Sequence, residues 1–171
     1  EKNLKYEPCF VLYFLYGSEK FLPASAKKVS VTLQKENGEY VFRKVNRDFE
    51  WEKNQIQFLF ATGLNEDNGY FLPRGQELLD NENALYFIIN WLNKNRRELE
   101  EQGIQILQGN SEKVYFTGGQ QLELKVQEKG DWFDVYATVR FGEFNIPFIR
   151  LKKYILNDIR EFELPNGEIA V

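Results

Sequence analysis

The chain has 171 residues, of which 43% are hydrophobic and 28% are charged, and its net charge at pH 7 is −4. This composition and length are typical of a globular protein with one domain or two small ones, not of a disordered chain. With no histidine and a single cysteine, the sequence excludes a Ser-His-Asp or Cys-His couple within the chain and the usual Cys/His zinc site.

Targeting and cofactor signals are equally sparse. No apolar run approaches the roughly 18 residues of a membrane helix, and no basic-then-apolar leader is present. We therefore expect a cytoplasmic location and no membrane partner. Neither glycine-rich phosphate motif occurs, so we predict no cofactor for this chain. A start at Glu1 with no methionine suggests a piece of a longer protein.

The first part of the chain predicts a buried strand and a tight hairpin. Residues 9–16 (CFVLYFLY) form a continuous apolar run, which indicates a buried strand. Residues 29–34 alternate apolar and polar side chains, and a second segment follows at 40–45. Between them, Asn37-Gly38 is the strongest short hairpin signal, because both residues tolerate positive φ. We therefore predict a hairpin that turns at Asn37-Gly38.

The middle of the chain predicts a strand, a loop and a long helix. Residues 55–60 (QIQFLF) alternate as in a strand, and the Asn-, Asp-, Gly- and Pro-rich residues 64–75 indicate a loop. A helix is predicted at about 82–101, because apolar residues recur there at i, i+3, i+4 and i+7. Its predicted buried face is Leu85, Ile88, Ile89 and Leu92, widened by Ala84, Phe87 and Trp91.

The ends of this helix carry local signals of their own. Asp80 or Asn81 can cap its start, and Gly103 suits the left-handed residue after its end. Residues 104–108 (IQILQ) then predict a short strand.

A second hairpin is predicted from residues 122–126 and 132–141, where apolar and polar side chains alternate. A turn around Lys129-Gly130 would place Leu122, Leu124 and Val126 opposite Ala137, Val135 and Phe133, and Lys125 opposite Asp134.

The last segment predicts a short helix and a closing hairpin. The helix starts near Asn145-Ile146-Pro147 and covers about 147–157. Its predicted apolar side is Phe148, Leu151 and Ile155, and a turn at Asn166-Gly167 is expected to pair Leu164 with Ile169 and Phe162 with Val171.

Two carboxylates beside aromatic residues, Asp131 and Asp134, raise the question of an acid-base pair. Asp131 falls in the predicted turn, where its side chain can bond to nearby backbone. Asp134 is expected opposite Lys125, so both acids have a structural explanation. A glycosidase needs two carboxyl groups at a defined separation, and nothing in the sequence fixes one. An enzyme with paired acids is therefore the least favoured hypothesis, and we predict no catalytic residue and no metal ligand.

Candidate contacts fall into two groups. The clustered basic residues are candidates for DNA or partner contact, with ordinary solvated charge as the alternative; they are Lys27, Lys28, Arg43, Lys44, Arg47, Arg96, Arg97, Lys152 and Lys153. Trp132 and Tyr136, on the polar face of their strand, are candidates for an aromatic face that stacks sugars or bases. The alternative is that a second layer covers them.

The terminal segment from Gly130 onward carries a run of short aromatic and turn motifs. They are Asp131-Trp132-Phe133-Asp134, Phe141-Gly142, Ile146-Pro147-Phe148, Leu151, Ile155, Arg160-Glu161-Phe162 and Leu164-Pro165-Asn166-Gly167. With these motifs the segment resembles the helicase-associated region that precedes the motor core in bacterial, Bacteroidetes-like SWI/SNF-type helicases. The rest of the chain is only generally compatible with such a region.

The resemblance implies a non-catalytic accessory or regulatory domain of a DNA-dependent ATPase. ATP and Mg²⁺ would then be bound only by the motor that follows, and the expected partners are that motor in cis, double-stranded DNA or another protein. The alternative is a free-standing binding module with an exposed aromatic sheet face for sugar, single-stranded nucleic acid or protein.

For the fold, the sequence predicts an α+β protein of mostly antiparallel hairpins with one main helix and one short helix. We expect an N-terminal portion at 1–118 and a strand-rich, helicase-associated portion at 119–171 that is cut before the motor core. The alternative is a single continuous domain.

Overall fold

The computed structural model describes residues 8–109, 113–129 and 132–171. In this part of the chain, three α-helices and twelve β-strands form several small antiparallel sheets. The predicted α+β class is therefore confirmed. The chain divides into two compact units, Glu1–Ala84 and Leu85–Val171. Gly118 and Gly119 lie inside the second unit, and the portions 1–118 and 119–171 stay a prediction.

The first unit consists of small sheets and one helix. Its three-stranded sheet has the order β1 (Phe10–Val11), β7 (Tyr70–Pro73), β6 (Leu64–Asp67). One further hairpin pairs β2 (Phe14–Tyr16) with β3 (Glu19–Phe21). The other pairs β4 (Val29–Glu36) with β5 (Glu39–Asn46). Helix α1 (Phe49–Ala61) follows β5, and a short 3-10 helix covers Gln76–Leu78. The buried apolar residues of this unit include Phe14, Phe21, Leu59, Leu64 and Phe71.

The second unit contains nearly all of helix α2 (Asn81–Glu101) and a three-stranded sheet. The sheet has the order β10 (Phe144–Pro147), β9 (Trp132–Phe141), β8 (Gln120–Lys129), and it is followed by α3 (Phe148–Leu156) and the hairpin β11 (Phe162–Glu163) with β12 (Ile169–Ala170). One buried cluster links β9, β10, α3 and the last hairpin: Phe116, Phe141, Ile146, Leu151, Phe162, Leu164 and Ala170. The core of this unit therefore sits at the base of β8–β9.

The first predicted hairpin is confirmed in position and turn. Val29 pairs with Asn46, Glu36 pairs with Glu39, and Asn37 and Gly38 form the two-residue turn. Their φ values are +50° and +90°, as a type I′ turn requires.

Three predictions in the first unit are wrong. Residues 9–16 are not one buried strand, because Phe10–Val11 pairs with β7 whereas Phe14–Tyr16 pairs with β3. Leu15 is 54% exposed. Residues 55–60 belong to α1, and residues 64–75 contain the β6–β7 hairpin instead of a loop.

Local chemistry explains the last two of these errors. The carboxylate of Asp48 caps α1 by accepting from the backbone N–H of Trp51 at 3.0 Å, and Glu50 and Glu52 lie in the first turn, where the helix dipole favours acids. The β6–β7 turn is Asn68-Gly69, with φ of +53° and +85°. This is the same Asn-Gly turn signal as in the first hairpin. The flanking strands have only four residues each, which is too short to show an alternation of apolar and polar side chains.

Helix α2 confirms the main helix prediction within one residue. Its start is capped by Asp80, whose Oδ1 accepts from the Asn83 N–H at 2.9 Å. Gly103 follows its end at φ +76°, as predicted. The buried face is Ala84, Ile88, Ile89, Leu92 and Leu99, whereas Phe87 is exposed. Residues 104–108 form no strand, so that prediction is wrong.

The second hairpin exists, but its register differs from the prediction by two residues. Val126 pairs with Val135, Leu124 with Ala137 and Leu122 with Val139, so Lys125 lies opposite Tyr136 rather than Asp134. A shift of two keeps every side chain on its face, so alternation cannot distinguish the two registers. Residues 130 and 131, including Asp131, lie outside the described residues.

The final elements need two corrections. Asn145, Ile146 and Pro147 belong to β10, and α3 starts at Phe148 and buries Leu151 while leaving Phe148 and Ile155 exposed. In the last hairpin Phe162 pairs with Ala170, one residue from the predicted register. The Leu164 N–H donates to the Glu168 carbonyl at 2.8 Å, so the loop itself has three residues, 165–167, with Gly167 at φ +85°, and this loop length accounts for the shift.

Candidate functional site

Two long hairpins present apolar faces to solvent. We call β4–β5 the first arm and β8–β9 the second arm; they belong to the first and second unit respectively. Contiguous exposed apolar surface is uncommon on a monomeric protein and usually marks an interaction site. The arms are therefore the main candidates for function.

The apolar face of the first arm is aromatic and aliphatic. The register places Leu33 opposite Phe42 and Lys35 opposite Tyr40, so these side chains share one face of the hairpin. Phe42 is 74% exposed and Tyr40 is 68% exposed, and Val31 and Leu33 beside them are more than half exposed. Two aromatic rings that lie two residues apart on β5 are therefore exposed on this face.

Two lysines border this aromatic face. Lys44 lies opposite Val31, and Lys35 lies opposite Tyr40 with its Nζ 5.7 Å from the centre of the Tyr40 ring. Cations next to exposed rings suit a partner with anionic groups at its edge and an apolar or π surface at its centre.

The base of the first arm is held by polar contacts. Ser30, which is 2% exposed, donates its hydroxyl to Glu19 at 2.7 Å and accepts from Lys27 Nζ at 2.9 Å. The Arg47 backbone N–H donates to the Lys28 carbonyl at 3.1 Å. The arm therefore leaves the unit from an ordered base.

A buried ion pair reinforces this base. Arg47 donates to both oxygens of Glu52, with Nε–Oε1 2.8 Å and Nη2–Oε2 2.6 Å, and its Nη1 donates to the Ser25 carbonyl at 2.6 Å. Phe21 and Phe49 lie 5.2 and 4.8 Å from the guanidinium carbon. The pair therefore ties the segment before the arm to α1.

Electrostatics around this pair favour its ionised form. Burial raises the pKa of Glu52, but hydrogen bonds from Arg47 and Tyr16 and the Arg47 charge outweigh burial, and the pKa lies below its ordinary value. The Glu52 hydrogen bond raises the pKa of Arg47. Burial raises the pKa of Tyr16, whose hydroxyl donates to Glu52 at 2.8 Å. These polar atoms are engaged with one another, which is the pattern of a structural network.

The apolar face of the second arm exposes aliphatic residues. Leu122, Leu124 and Val126 on β8 are each 61–62% exposed, and Val135 on β9 is 54% exposed. On the other face Tyr136 is 52% exposed and its hydroxyl lies 3.4 Å from Asp134 Oδ2. The side chain of Trp132, the second residue of the predicted aromatic face, lies outside the described residues.

A polar cluster in the second unit contains another perturbed pair. Tyr115 is 8% exposed and donates its hydroxyl to Glu161 at 2.8 Å, while Lys113 forms an ion pair with the same carboxylate. Burial, the Glu161 hydrogen bond and the Glu161 charge raise the pKa of Tyr115 to about 12. Burial also raises the pKa of Glu161, but the hydrogen bonds from Lys113 and Tyr115 outweigh it and lower the pKa overall. This cluster joins the segment of Lys113 and Tyr115 to that of Glu161.

The predicted basic contacts do not form one patch. Arg47 is in the interior, and Arg96 donates to the Thr117 carbonyl and hydroxyl at 2.7 Å. Arg97 pairs with Glu101 at 2.8 Å on the exposed side of α2. The remaining predicted residues are exposed, on the first unit (Lys27, Lys28, Arg43, Lys44) and on α3 (Lys152, Lys153). Of these predicted basic residues, Lys44 alone lies on the aromatic face of the first arm.

The first unit also has an open pocket of about 590 Å³, lined by Phe60, Leu64, Asn65, Glu66, Asp67, Leu72, Arg74 and Glu77. Glu66 and Glu77 accept backbone N–H groups of Gly69 and Gly75, and Arg74 donates to Asn65 and to the Phe60 carbonyl. The hydrogen bonds of these charged side chains therefore stabilise the turns around the pocket. Across the described residues, no group of three or more His, Cys, Asp or Glu is arranged to hold a metal ion.

The aromatic pair Tyr40 and Phe42 was missed by the sequence analysis. Tyr40, Val41 and Phe42 are consecutive apolar residues, so alternation cannot show which of them points away from the core. The available signal was the Asn-Gly turn, which fixes the register with β4 and places Tyr40 and Phe42 beside Leu33.

Comparison with protein-family models, with curated proteins and with solved structures gave no match to this chain. Within the described part of the chain, no helix combines the length and apolar content needed to cross a membrane.

Proposed function

We propose that this chain is a non-catalytic binding module that serves as an accessory, regulatory region of a bacterial SWI/SNF-type DNA-dependent ATPase. The observation that carries the proposal is the exposed aromatic face of the first arm, with Tyr40 and Phe42 bordered by Lys35 and Lys44. The resemblance of the terminal segment supplies the partner, which is the ATPase motor in the same polypeptide.

The chemistry of the arm favours a protein surface. Interface centres are enriched in aromatic residues, whereas lysines are placed at the rim. The arm has this arrangement, because Phe42 and Leu33 lie between Lys35 and Lys44 along the hairpin. A net charge of −4 disfavours an independent grip on duplex DNA, which normally needs a markedly basic face.

The test compares the expected parent ATPase with a version that lacks residues 1–171 and with the double variant Tyr40→Ser/Phe42→Ser. ATP hydrolysis is measured with and without duplex DNA, and translocation is measured separately. If the module restrains the motor, both changes raise DNA-free hydrolysis; if it helps to deliver DNA, both lower DNA stimulation. Unchanged hydrolysis and translocation in the deletion would contradict the proposal.

A matched control separates the arm from general surface effects. Leu78 is 84% exposed in the same unit and lies outside the arm, so Leu78→Ser removes a comparable exposed apolar side chain. We expect Leu78→Ser to behave as the unmodified protein. An equal effect of Leu78→Ser and of the aromatic double variant would show that the arm is not the contact surface.

Single-stranded nucleic acid is the second candidate ligand, and the same face favours it. Tyr40 and Phe42 are two residues apart on one strand, about 7 Å, and two bases could stack on them beside the lysines. Binding of a labelled oligonucleotide to the chain is measured by fluorescence anisotropy at several salt concentrations. We expect Phe42→Ser to weaken binding by about tenfold and Lys44→Ser to reduce the salt slope by about 0.7. No binding at low salt would exclude this ligand and leave the protein contact.

A further inference from the structure

Strand β8 has an edge to which another strand can be added. The sheet order is β10-β9-β8, so β9 covers one side of β8, and no strand of the described residues pairs with the other side. Residues 121–128 are all exposed. Alternate residues of such a strand direct their N–H and C=O groups away from the sheet, and these groups can pair with a further strand.

The sequence of β8 is complementary to itself when it is reversed around Leu124. In an antiparallel pair of two β8 strands centred on Leu124, Leu122 of one copy lies opposite Val126 of the other. Glu123 lies opposite Lys125 of the second copy, and twofold symmetry repeats this pair. Farther out, Gln121 lies opposite Gln127. Every central position therefore meets a residue of matching chemistry.

We propose that β8 is a self-association site, through which two copies of this chain pair antiparallel about a twofold axis at Leu124. The second copy is the occupant because the charge pattern selects it: a lysine in the middle of an edge strand normally blocks pairing, but here Lys125 meets Glu123. This proposal is independent of the proposed function, which rests on the first arm.

The pairing would also extend the apolar face of the second arm. Directly opposed residues of antiparallel strands lie on the same face of the sheet. Leu122, Leu124 and Val126 of both copies would therefore form one continuous stripe, and Glu123 and Lys125 would lie on the opposite face. An edge contact of this length is smaller than a standard protein interface, so we expect a dissociation constant on the order of 10 µM.

Charge reversal tests the pairing without disturbing the fold, because Glu123 and Lys125 are exposed. Sedimentation velocity of the 171-residue chain over a concentration series gives the dissociation constant. In Glu123→Lys two lysines face each other, and in Lys125→Glu two glutamates face each other. We expect each variant alone to self-associate at least about tenfold more weakly. The two variants mixed together should associate again, because each supplies the charge that the other needs.

The control for these variants is Lys152→Glu, which makes the same charge change at an exposed position on α3. It should leave the dissociation constant unchanged. A wild-type chain that stays monomeric well above 100 µM, or a mixture of the charge variants that remains monomeric, would overturn the proposal.

Cross-linking tests the register. In a Cys9→Ser background, Leu124→Cys places two thiols directly opposite each other. Antiparallel geometry puts the Cα atoms of opposed residues about 4.5–5.5 Å apart. This separation lies within the range of about 4.4–6.8 Å that a disulfide spans. Leu122→Cys instead places a thiol two residues from the twofold axis. The two symmetry-related thiols then lie too far apart to form a disulfide. We expect rapid oxidative dimerisation of Leu124→Cys only. Equal dimerisation of both variants would show that the copies meet in another way and would overturn the β8 pairing.

Discussion

The two arms have the same topology but differ in their anchoring and in the surfaces that they expose. The first arm rises from a base held by the buried Arg47–Glu52 pair and exposes aromatic rings next to lysines. The second arm ends at Phe141, which packs edge-to-face on Phe116 at 5.8 Å, and its apolar face exposes the aliphatic residues Leu122, Leu124, Val126 and Val135. The two hairpins therefore expose different chemistry, because two lysines border aromatic rings on the first arm, whereas the described side chains on the apolar face of the second arm are aliphatic apart from Glu128 and, at its base, Gln120 and the buried Phe141.

The largest expected effect is the loss of the anchor of the first arm. In Glu52→Ala the Arg47 side chain, which is 0% exposed, stays charged and buried without its carboxylate. We expect the free energy of unfolding of the first unit to fall by about 3 to 5 kcal/mol. Urea unfolding followed by circular dichroism, together with hydrogen exchange of α1 peptides, measures the loss.

The control for Glu52→Ala is Glu101→Ala, which removes one partner of the exposed Arg97–Glu101 pair. We expect this variant to unfold at nearly the same urea concentration as the unmodified protein, because solvent screens an exposed pair. Equal losses in the two variants would show that burial of the Arg47–Glu52 pair does not decide the stability of the first arm.

The second arm should depend on close aromatic packing at its base. A Cβ on Gly118 would overlap the Phe116 ring, whereas a Cβ on Gly119 would meet no atom within 4 Å. We expect Gly118→Ala to destabilise the second unit by about 1 to 3 kcal/mol because the ring must move. Gly119→Ala should be near neutral in the same urea titration, and a loss equal to that of Gly118→Ala would contradict the packing argument.

Alkaline pH should weaken the second unit through Tyr115. Its folded pKa is raised from 10.0 to about 12, so the unfolded chain loses this proton first. Stability is then fully present below about pH 10 and is lost as pH rises toward 12. We expect a loss of about 1 to 2 kcal/mol across this window and a shallower slope in Tyr115→Phe, measured by urea unfolding at each pH.

The smallest expected effect concerns the exposed face of the first arm. Phe42 is 74% exposed, so Phe42→Ser should change the free energy of unfolding by less than about 0.5 kcal/mol. The same variant should have a clear effect in the binding and ATPase assays. If Phe42→Ser unfolded the first unit instead, Phe42 would be a structural residue, and this result would contradict the proposal that the first arm is a binding surface.

The sequence by itself determined the elements whose cause is local. Asn37-Gly38 predicted a hairpin because both residues adopt positive φ, and α2 was predicted because its apolar residues recur with the helical period between Asp80 and Gly103. Residues 55–60 were misassigned because a short alternating run fits a strand, and the capping carboxylate that starts α1, Asp48, lies well before that run.

The tertiary structure alone decided which apolar faces are covered. Alternation shows that Leu33 and Phe42, or Leu122 and Leu124, share a face, but whether a face is buried depends on what other elements reach it. For the same reason Arg47 was predicted as a surface contact. Its position in a basic cluster of the sequence does not show that its side chain is buried against Glu52. The same limit also explains the register of the second arm, because a shift of two residues preserves the pattern of faces and only the loop length selects one register.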